Sequence, residues 1–135
     1  MTLFFVAGKP APQGSKRHVG NGRMIESSKA LKPWRELIAE TARWNRPELH
    51  TGPVLLKLDF IMPRPKATPK TATPPAIKRP DLDKLVRAVL DSLTGICYVD
   101  DSQVTDIIAR KHVAGYEDTP GVYINCEPII ERLAA

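Results

Sequence analysis

Six acidic side chains between positions 81 and 106 have the type and spacing best suited to chemistry. All six are aspartates: Asp81, Asp83, Asp91, Asp100, Asp101 and Asp106. A short carboxylate is a hard oxygen ligand suited to Mg²⁺ or Mn²⁺, and two or three carboxylates held near one another bind such an ion. The D-x-D at 81–83 and the D-D step at 100–101 therefore predict a divalent-metal site.

These aspartates also have purely structural interpretations. Asp81 suits the cap of a helix, and Asp83 suits the positive end of a helix dipole. Asp83 and Arg87 are spaced for an i,i+4 ion pair, which is worth only about 0.2–0.5 kcal/mol. The pair at 100–101 suits a polar turn. A metal site and a set of local stabilising contacts are both open at this point.

The charge of the chain is divided unevenly along its 135 residues. Overall, 20 Lys and Arg outnumber 15 Asp and Glu, for a net charge of +5 and a pI near 9.4. Residues 1–80 carry 15 basic and 5 acidic side chains, whereas residues 81–135 carry 5 basic and 10 acidic ones. A metal-dependent nuclease needs this combination, because cations bind the phosphate backbone and carboxylates hold the metal. DNA or RNA is the expected partner.

Two segments concentrate the cations predicted to bind phosphate. The 9–17 loop supplies three, and the 63–80 segment contains six prolines, five cations and no acid, which is typical of a mobile, extended loop that does not pack. The predicted DNA-binding residues are Lys9, Lys16, Arg17, Lys66, Lys70, Lys78, Arg79 and Lys84. A linker with incidental charge is the alternative interpretation of the 63–80 segment.

Two amphipathic helices are predicted from apolar residues three and four positions apart. The first spans about 29–44, with Ser27 or Ser28 available as its cap and Trp34 in the core. The second spans 81–93, beginning just after a proline. On this second helix the acidic residues lie away from the apolar stripe, so the helix is expected to present them to solvent.

Five segments have the composition or alternation of strands: 2–7, 23–26, 54–62, 104–113 and 121–126. The strict alternation at 54–62 predicts a strand with one face on the core. The last two segments are expected to pair antiparallel through the turn between them. We therefore predict one α+β domain spanning residues 1–135, a mixed, mostly antiparallel sheet with two main helices packed on it.

Several classes of site and location are disfavoured. No apolar run approaches the roughly 20 residues needed to span a bilayer, and the first residues lack the features of a signal peptide, so a cytoplasmic protein is expected. Cys97 and Cys126 have no CxxC neighbour and are expected to be small buried hydrophobes rather than zinc ligands or a redox pair. Asp59 is expected to support the site or to be a surface partner of Lys57.

Two stretches resemble the signature of the RusA family of Holliday junction resolvases. They are the segments RPDLDKLVRAVLDSL at 79–93 and YVDDSQV at 98–104. The likeness extends more loosely over residues 54–127, whereas the first 50 residues agree only in general layout. The resemblance implies a small homodimeric endonuclease that binds four-way DNA junctions and, with Mg²⁺, makes paired symmetric nicks leaving a 5′-phosphate and a 3′-hydroxyl.

The resemblance also assigns roles to individual residues. The family's essential aspartates fall on Asp81, Asp83 and Asp101, with Asp100 beside them as a further metal ligand, and the family's functional lysine falls on Arg87. Arginine does not donate a proton at neutral pH, so Arg87 is expected to hold the scissile phosphate or stabilise transition-state charge. Mg²⁺ is the implied metal, and Mn²⁺ also suits the ligands.

Two other functions are compatible with the same residues. One is a metal-dependent nuclease that cuts other branched DNA or RNA. The other is a basic nucleic-acid-binding protein without catalytic activity, in which the aspartates only stabilise a helix. Asn substitutions at positions 81 and 83 discriminate the last possibility, because a nuclease would lose cleavage and a simple binding protein would lose nothing.

Overall fold

The computed structural model describes residues 2–14, 16–18, 20, 24–26 and 29–130, with the backbone alone at 16–18 and 24–26. The strands are β1 Thr2–Ala7, β2 Lys16–His18, β3 Met24–Glu26, β4 Val54–Met62, β5 Val104–Val113 and β6 Gly121–Pro128. The helices are α1 Leu31–Trp44 and α2 Leu82–Leu93, and a 3₁₀ turn at Asp101–Gln103 precedes β5. A four-stranded sheet with two helices confirms the predicted α+β class.

The main sheet has the strand order β1-β6-β4-β5. Strand β6 runs antiparallel to both β1 and β4, and β5 runs parallel to β4. The expected antiparallel pairing of β5 with β6 is therefore wrong. The chain leaves β4, crosses over through α2 and returns in the same direction as β5, which requires a parallel pair. The segment that joins β5 to β6 then crosses the end of β4, where the Ala114 N–H donates to the Met62 carbonyl at 2.8 Å.

The core lies between one face of this sheet and the two helices. Alternate residues of β4 from Val54 to Met62 are buried, as the sequence pattern predicts. Both helices contribute apolar side chains to this core, including that of Trp34 on α1, which is buried as predicted. On the opposite face, called the open face below, Leu3, Ile108 and Tyr123 are exposed, whereas Ile61 near the end of β4 is buried.

Two boundaries differ from the sequence-based prediction. Helix α1 begins at Leu31, and Ala30 occupies its cap position without a side-chain capping bond. Ser27 and Ser28, the expected caps, lie outside the described residues. The loop predicted at 9–17 is also shorter in the structure. Its last residues form β2, which pairs with β3 in a small hairpin.

The two cysteines are buried and free, as expected. Although they are far apart in sequence, the two thiols lie near each other in the core, where the Cys126 thiol and burial together raise the pKa of the Cys97 thiol. Across the described part of the chain, no helix is long and apolar enough to span a membrane.

Candidate functional site

Asp81 occupies the cap position of α2 without acting as a side-chain cap. Its backbone is extended and the helix begins at the next residue, but its carboxylate makes no capping hydrogen bond. The carboxylate is instead about half exposed (54%) and lies 3.6 Å from the Lys84 ammonium. Capping therefore does not account for the acidic side chain at this position.

Asp83 lies in the first turn of α2, where the helix dipole favours a carboxylate. It is exposed, and so is Arg87 one turn later. The anticipated ion pair between the two is absent from the ion pairs of the described residues. Both charged groups are thus accessible to an external ligand, a cation for Asp83 and a phosphate for Arg87.

Lys111, near the end of β5, holds the main chain that leads into Asp81. Its ammonium donates to the carbonyls of Lys78 at 2.8 Å and Pro80 at 2.7 Å, just after the Arg79–Pro80 peptide, which is cis. Sequence reasoning gave Lys111 no role, since a lysine at a strand end carries no signal of the loop that it contacts. The side chain fixes the start of α2 against the sheet.

Asp100 has the structural role that a polar turn predicts. Its carboxylate accepts from the Ser102 N–H at 3.1 Å, while the Gln103 side-chain oxygen accepts from the Asp100 and Val99 N–H groups at 2.9 and 2.8 Å. The bonds from Ser102 hold the pKa of Asp100 below its usual value. The same Gln103 amide donates to two carbonyls of the 50–52 segment at 2.9 Å each. The turn is therefore firmly anchored.

Asp101 lies in the first position of that anchored turn. It is exposed, and no hydrogen bond or ion pair to its carboxylate is found among the described residues. It lies near the second half of α2, because the Tyr98 hydroxyl donates to the Leu90 carbonyl at 2.7 Å and Asp101 helps to raise the pKa of Tyr98. Burial is the largest cause of that raised pKa, and Asp91 also contributes.

The two acidic pairs consequently lie toward opposite ends of α2. A helix of 12 residues is about 18 Å long, and Asp81 and Asp83 lie at its start whereas Asp101 lies near its second half. Within the described part of one chain, no group of three or more His, Cys, Asp or Glu side chains is placed to hold a metal ion. The carboxylates suit Mg²⁺ by type, but one copy brings together only part of the predicted ligand set.

The remaining aspartates have local partners. The Gln13 side-chain amide donates to Asp91, and the Gln13 N–H donates to the Lys84 carbonyl at 3.0 Å, so the 9–14 loop lies along α2. Gly14 in this loop is so close to Arg87 that a Cβ there would lie 3.3 Å from the guanidinium. Asp106 accepts from Thr105 at 2.7 Å.

Asp59 lies on the open face of the sheet, opposite the helices. Its carboxylate contacts Arg110 at 3.1 Å and His112 at 3.0 Å, and its hydrogen bond raises the pKa of Arg110. Lys57 instead approaches Glu127 at 3.7 Å. The expected pairing of Asp59 with Lys57 is wrong, and Asp59 is separated from the acidic residues of α2 by the sheet itself.

The segment 63–80, called the basic loop below, has more internal structure than its composition predicts. The Arg64 guanidinium donates to the Ala114 carbonyl at 3.1 Å and to Thr73 at 3.3 Å, and it also contacts the carbonyls of Pro69 and Ala72. Arg64 thus gathers the loop about one side chain. The expectation that this segment does not pack is too simple, while its mobility stays a prediction.

Most of the predicted DNA-binding cations lie around this loop. Lys9, Lys78 and Arg79 line a cavity of about 740 Å³ between the loop and the end of β4. Lys66 is exposed, and the Lys70 ammonium lies 4.8 Å from the centre of the Tyr116 ring. Lys84 is engaged by Asp81. The side chains of Lys16 and Arg17 lie outside the described residues.

Comparison with known proteins gives two findings. The family model described as "Endodeoxyribonuclease RusA" matches residues 7–127, most of the chain. A relative from Bacillus subtilis (strain 168), named "Uncharacterized protein YqaN", is 33% identical over 134 residues, covering 90% of this chain and 92% of the relative. The match extends well into the first 50 residues, where motifs alone gave little likeness.

Proposed function

Because this chain belongs to the RusA family of endodeoxyribonucleases, we propose that it resolves four-way DNA junctions by paired symmetric nicks in recombination and repair. It would do so as a cytoplasmic, Mg²⁺-dependent homodimer, leaving 5′-phosphate and 3′-hydroxyl ends. The observation that carries this proposal is the state of Asp81 and Asp83. Their carboxylates are exposed at the start of α2, neither capping the helix nor paired with Arg87, beside a loop rich in cations.

In the proposed reaction, the carboxylates of Asp81 and Asp83 hold the cation and Arg87 binds the scissile phosphate. The Arg87 guanidinium stays protonated at neutral pH and suits two-point contact with phosphate oxygens. Bound Mg²⁺ would polarise that phosphate and lower the pKa of an attacking water. The cations beside the α2 start, Lys78 and Arg79, would keep the DNA backbone in place without reading its sequence.

The position of Asp101 supports a dimer as the working form. The length of α2 separates Asp101 from Asp81 and Asp83 of the same chain. If all three residues hold one ion, Asp101 must therefore come from another copy. A two-fold axis that sets two copies of α2 in opposite directions brings the Asp101 of one copy to the α2 start of the other. Such a dimer has two equivalent sites, which matches a junction that must be cut in two strands.

Junction cleavage with purified protein tests the reaction. Mobile four-way junctions, duplexes, flaps and RNA should be compared with Mg²⁺, Ca²⁺ or EDTA present. We expect strand-paired cuts in the junction with Mg²⁺ only. Preferential cleavage of flaps or RNA would instead support a nuclease of different substrate class, and binding without cleavage in every metal would support a non-catalytic binding protein.

Mixed dimers test the shared site. Chains carrying Asp83→Asn should be coexpressed with chains carrying Asp101→Asn, and each variant should be inactive alone. A mixed dimer would regain one complete site, formed by the α2 start of the Asp101→Asn chain and the 3₁₀ turn of the Asp83→Asn chain, and would nick one strand. If all ligands came from one chain, every chain would be defective and the mixture would stay inactive.

A further inference from the structure

The cavity between the basic loop and the end of β4 has a largely apolar lining. Met62 and Val113, the last residues of β4 and β5, line it from the sheet side and are buried. The loop contributes mainly prolines and alanines. The volume of about 740 Å³ lies within the range of about 300–1,000 Å³ that is usual for small-molecule sites. The cavity therefore has the size and the lining for a flat organic ligand.

Two cationic side chains hold the main chain around this cavity. Arg64 donates to the carbonyls at positions 69 and 72, which belong to lining residues. Lys111 donates to the carbonyls of Lys78 at 2.8 Å and Pro80 at 2.7 Å, which belong to the part of the lining next to α2. Because these bonds fix the backbone on two sides, a ligand needs little further ordering of the loop to bind.

Cations border the cavity on the solvent side. Lys9, Lys78 and Arg79 line it and are exposed, and none of them takes part in the ion pairs of the described residues. Of the described residues that line the cavity, none is acidic. A ligand with a flat apolar body and an attached anion matches this arrangement. A nucleotide has both, since its phosphate would contact the exposed cations while its base lies inside.

We propose that the cavity takes up one unstacked nucleobase of the junction, from a nucleotide close to the phosphate held at the start of α2. The proposal rests on the proposed function, to which it adds a base-binding site. Residues 78–80 line the cavity and lead directly into Asp81, so the base and that phosphate belong to one stretch of strand. Unstacking is least costly where pairing is already interrupted, as at the centre of a junction. The cavity would thus favour branched DNA over an intact duplex.

The fluorescence of 2-aminopurine, a base analogue that brightens when it leaves a stack, tests this uptake. The analogue should be placed at one position at a time around the centre of a four-way junction, and the junction bound by wild-type protein in Ca²⁺. We expect a severalfold rise at symmetry-related positions in two strands, and no rise in a duplex of the same sequence.

Filling the cavity tests where the base goes. Ala76 lines the cavity and is half-buried, so Ala76→Leu should abolish the rise by occupying the space without a change of charge. Ala67→Leu, at an exposed lining position, should reduce it with less risk to the fold. Ala39→Leu, the same change at a half-buried alanine of α1, is the matched control and should keep the rise. Circular dichroism should show all three variants folded.

A mismatch opposite the responding base gives an independent measurement. It removes the cost of unpairing, so the affinity of wild type for the junction should rise by about tenfold, whereas Ala76→Leu should gain nothing. The inference is overturned if no position brightens, if the rise survives in both Ala76→Leu and Ala67→Leu, or if the mismatch leaves wild-type affinity unchanged. Cleavage of the unlabelled junction in Mg²⁺ judges the proposed nuclease separately, because uptake of a base in Ca²⁺ does not require cleavage.

Discussion

The two acidic pairs of this chain look alike in sequence but differ in what their carboxylates do. Each pair introduces a helical element, α2 for Asp81 and Asp83 and the 3₁₀ turn for Asp100 and Asp101. At the turn, both aspartates are exposed, but the Asp100 carboxylate in the cap position accepts a main-chain hydrogen bond, and within the described ranges only the Asp101 carboxylate lacks one. At α2, the cap position makes no such bond, and both aspartates are exposed.

This difference separates structural from available carboxylates. A cap satisfies an otherwise unpaired N–H group, so its side chain is committed to the fold. By that criterion Asp100 supports the turn, whereas Asp81, Asp83 and Asp101 make no capping bond and are open to a ligand outside the chain, Asp81 with only the Lys84 ammonium beside it. These three are the essential aspartates that the family resemblance implies, and Asp100, expected beside them as a further metal ligand, is the one whose carboxylate is bonded in the turn.

The largest expected effect is on cleavage. Asp83→Asn should lower junction cleavage by at least about 100-fold, since even outer partners of metal ligands are worth 10–100-fold. Binding of the junction should persist, because the cations remain, and the melting temperature should be unchanged. Asp59→Asn is the matched control on the open face of the sheet and should cleave normally. Equal activity of the two variants would remove Asp83 from the site.

Loss of the turn's anchor should affect both stability and activity. Gln103→Ala removes four hydrogen bonds of one side chain and should lower the free energy of unfolding by about 2 kcal/mol. Cleavage should fall as well, because Asp101 would lose its fixed position. Urea denaturation measures the first effect, with Thr51→Ala in the adjacent exposed segment as control. A variant as stable as wild type would show that the turn is held by other contacts.

A smaller effect is expected from the lysine beneath the α2 start. Lys111→Met removes two bonds from a charged donor and should lower kcat by about tenfold with little change in KM, since it positions Asp81 rather than binding DNA. Lys57→Met, on the opposite face of the neighbouring strand, controls for the lost charge. A rise in KM without a change in kcat would instead mark Lys111 as a DNA contact.

The smallest expected effect is a pH dependence of the turn. The ionised Asp100 carboxylate is stabilised by its bonds from Ser102, so its pKa lies below the ordinary value of 3.8. Its contribution to stability is therefore complete above that value and is lost as pH falls through the lowered pKa. Wild type should lose stability relative to Asp100→Asn between pH 5 and 2.5 in thermal melts. A constant difference would mean that Asp100 does not act through its charge.

Sequence periodicity predicted the elements whose pattern is local. The alternation in β4 and the apolar stripes of α1 and α2 follow directly from which side chains must face the core. The place of β6 between β1 and β4 was not predictable in this way. A turn that joins two neighbouring strands and a segment that crosses the end of another strand have the same residue pattern in sequence. The proximity of Cys97 and Cys126 depends on that sheet order and was hidden for the same reason.

Sequence reasoning named the carboxylates of the candidate site but not their arrangement. The D-x-D and D-D steps indicated two acidic pairs for one site, and the family resemblance selected Asp81, Asp83 and Asp101 among them. A chain can turn back after a helix, so the separation of the two pairs along α2 became apparent only in the structure. Lys111, Arg64 and Gln103 act on main-chain groups distant in sequence, so no motif could have revealed them.

The anchoring of the basic loop by Arg64 alters how its cations should be counted. Arg64 directs its donors to carbonyls and a hydroxyl of the protein, leaving Lys66, Lys70, Lys78 and Arg79 to displace counterions from DNA. Each phosphate neutralised contributes about 0.9 to the slope of log affinity against log salt concentration. The loop should thus contribute at most about 3.6 to that slope. Replacing Arg64 should change the shape of the loop and leave the salt dependence of DNA binding unchanged.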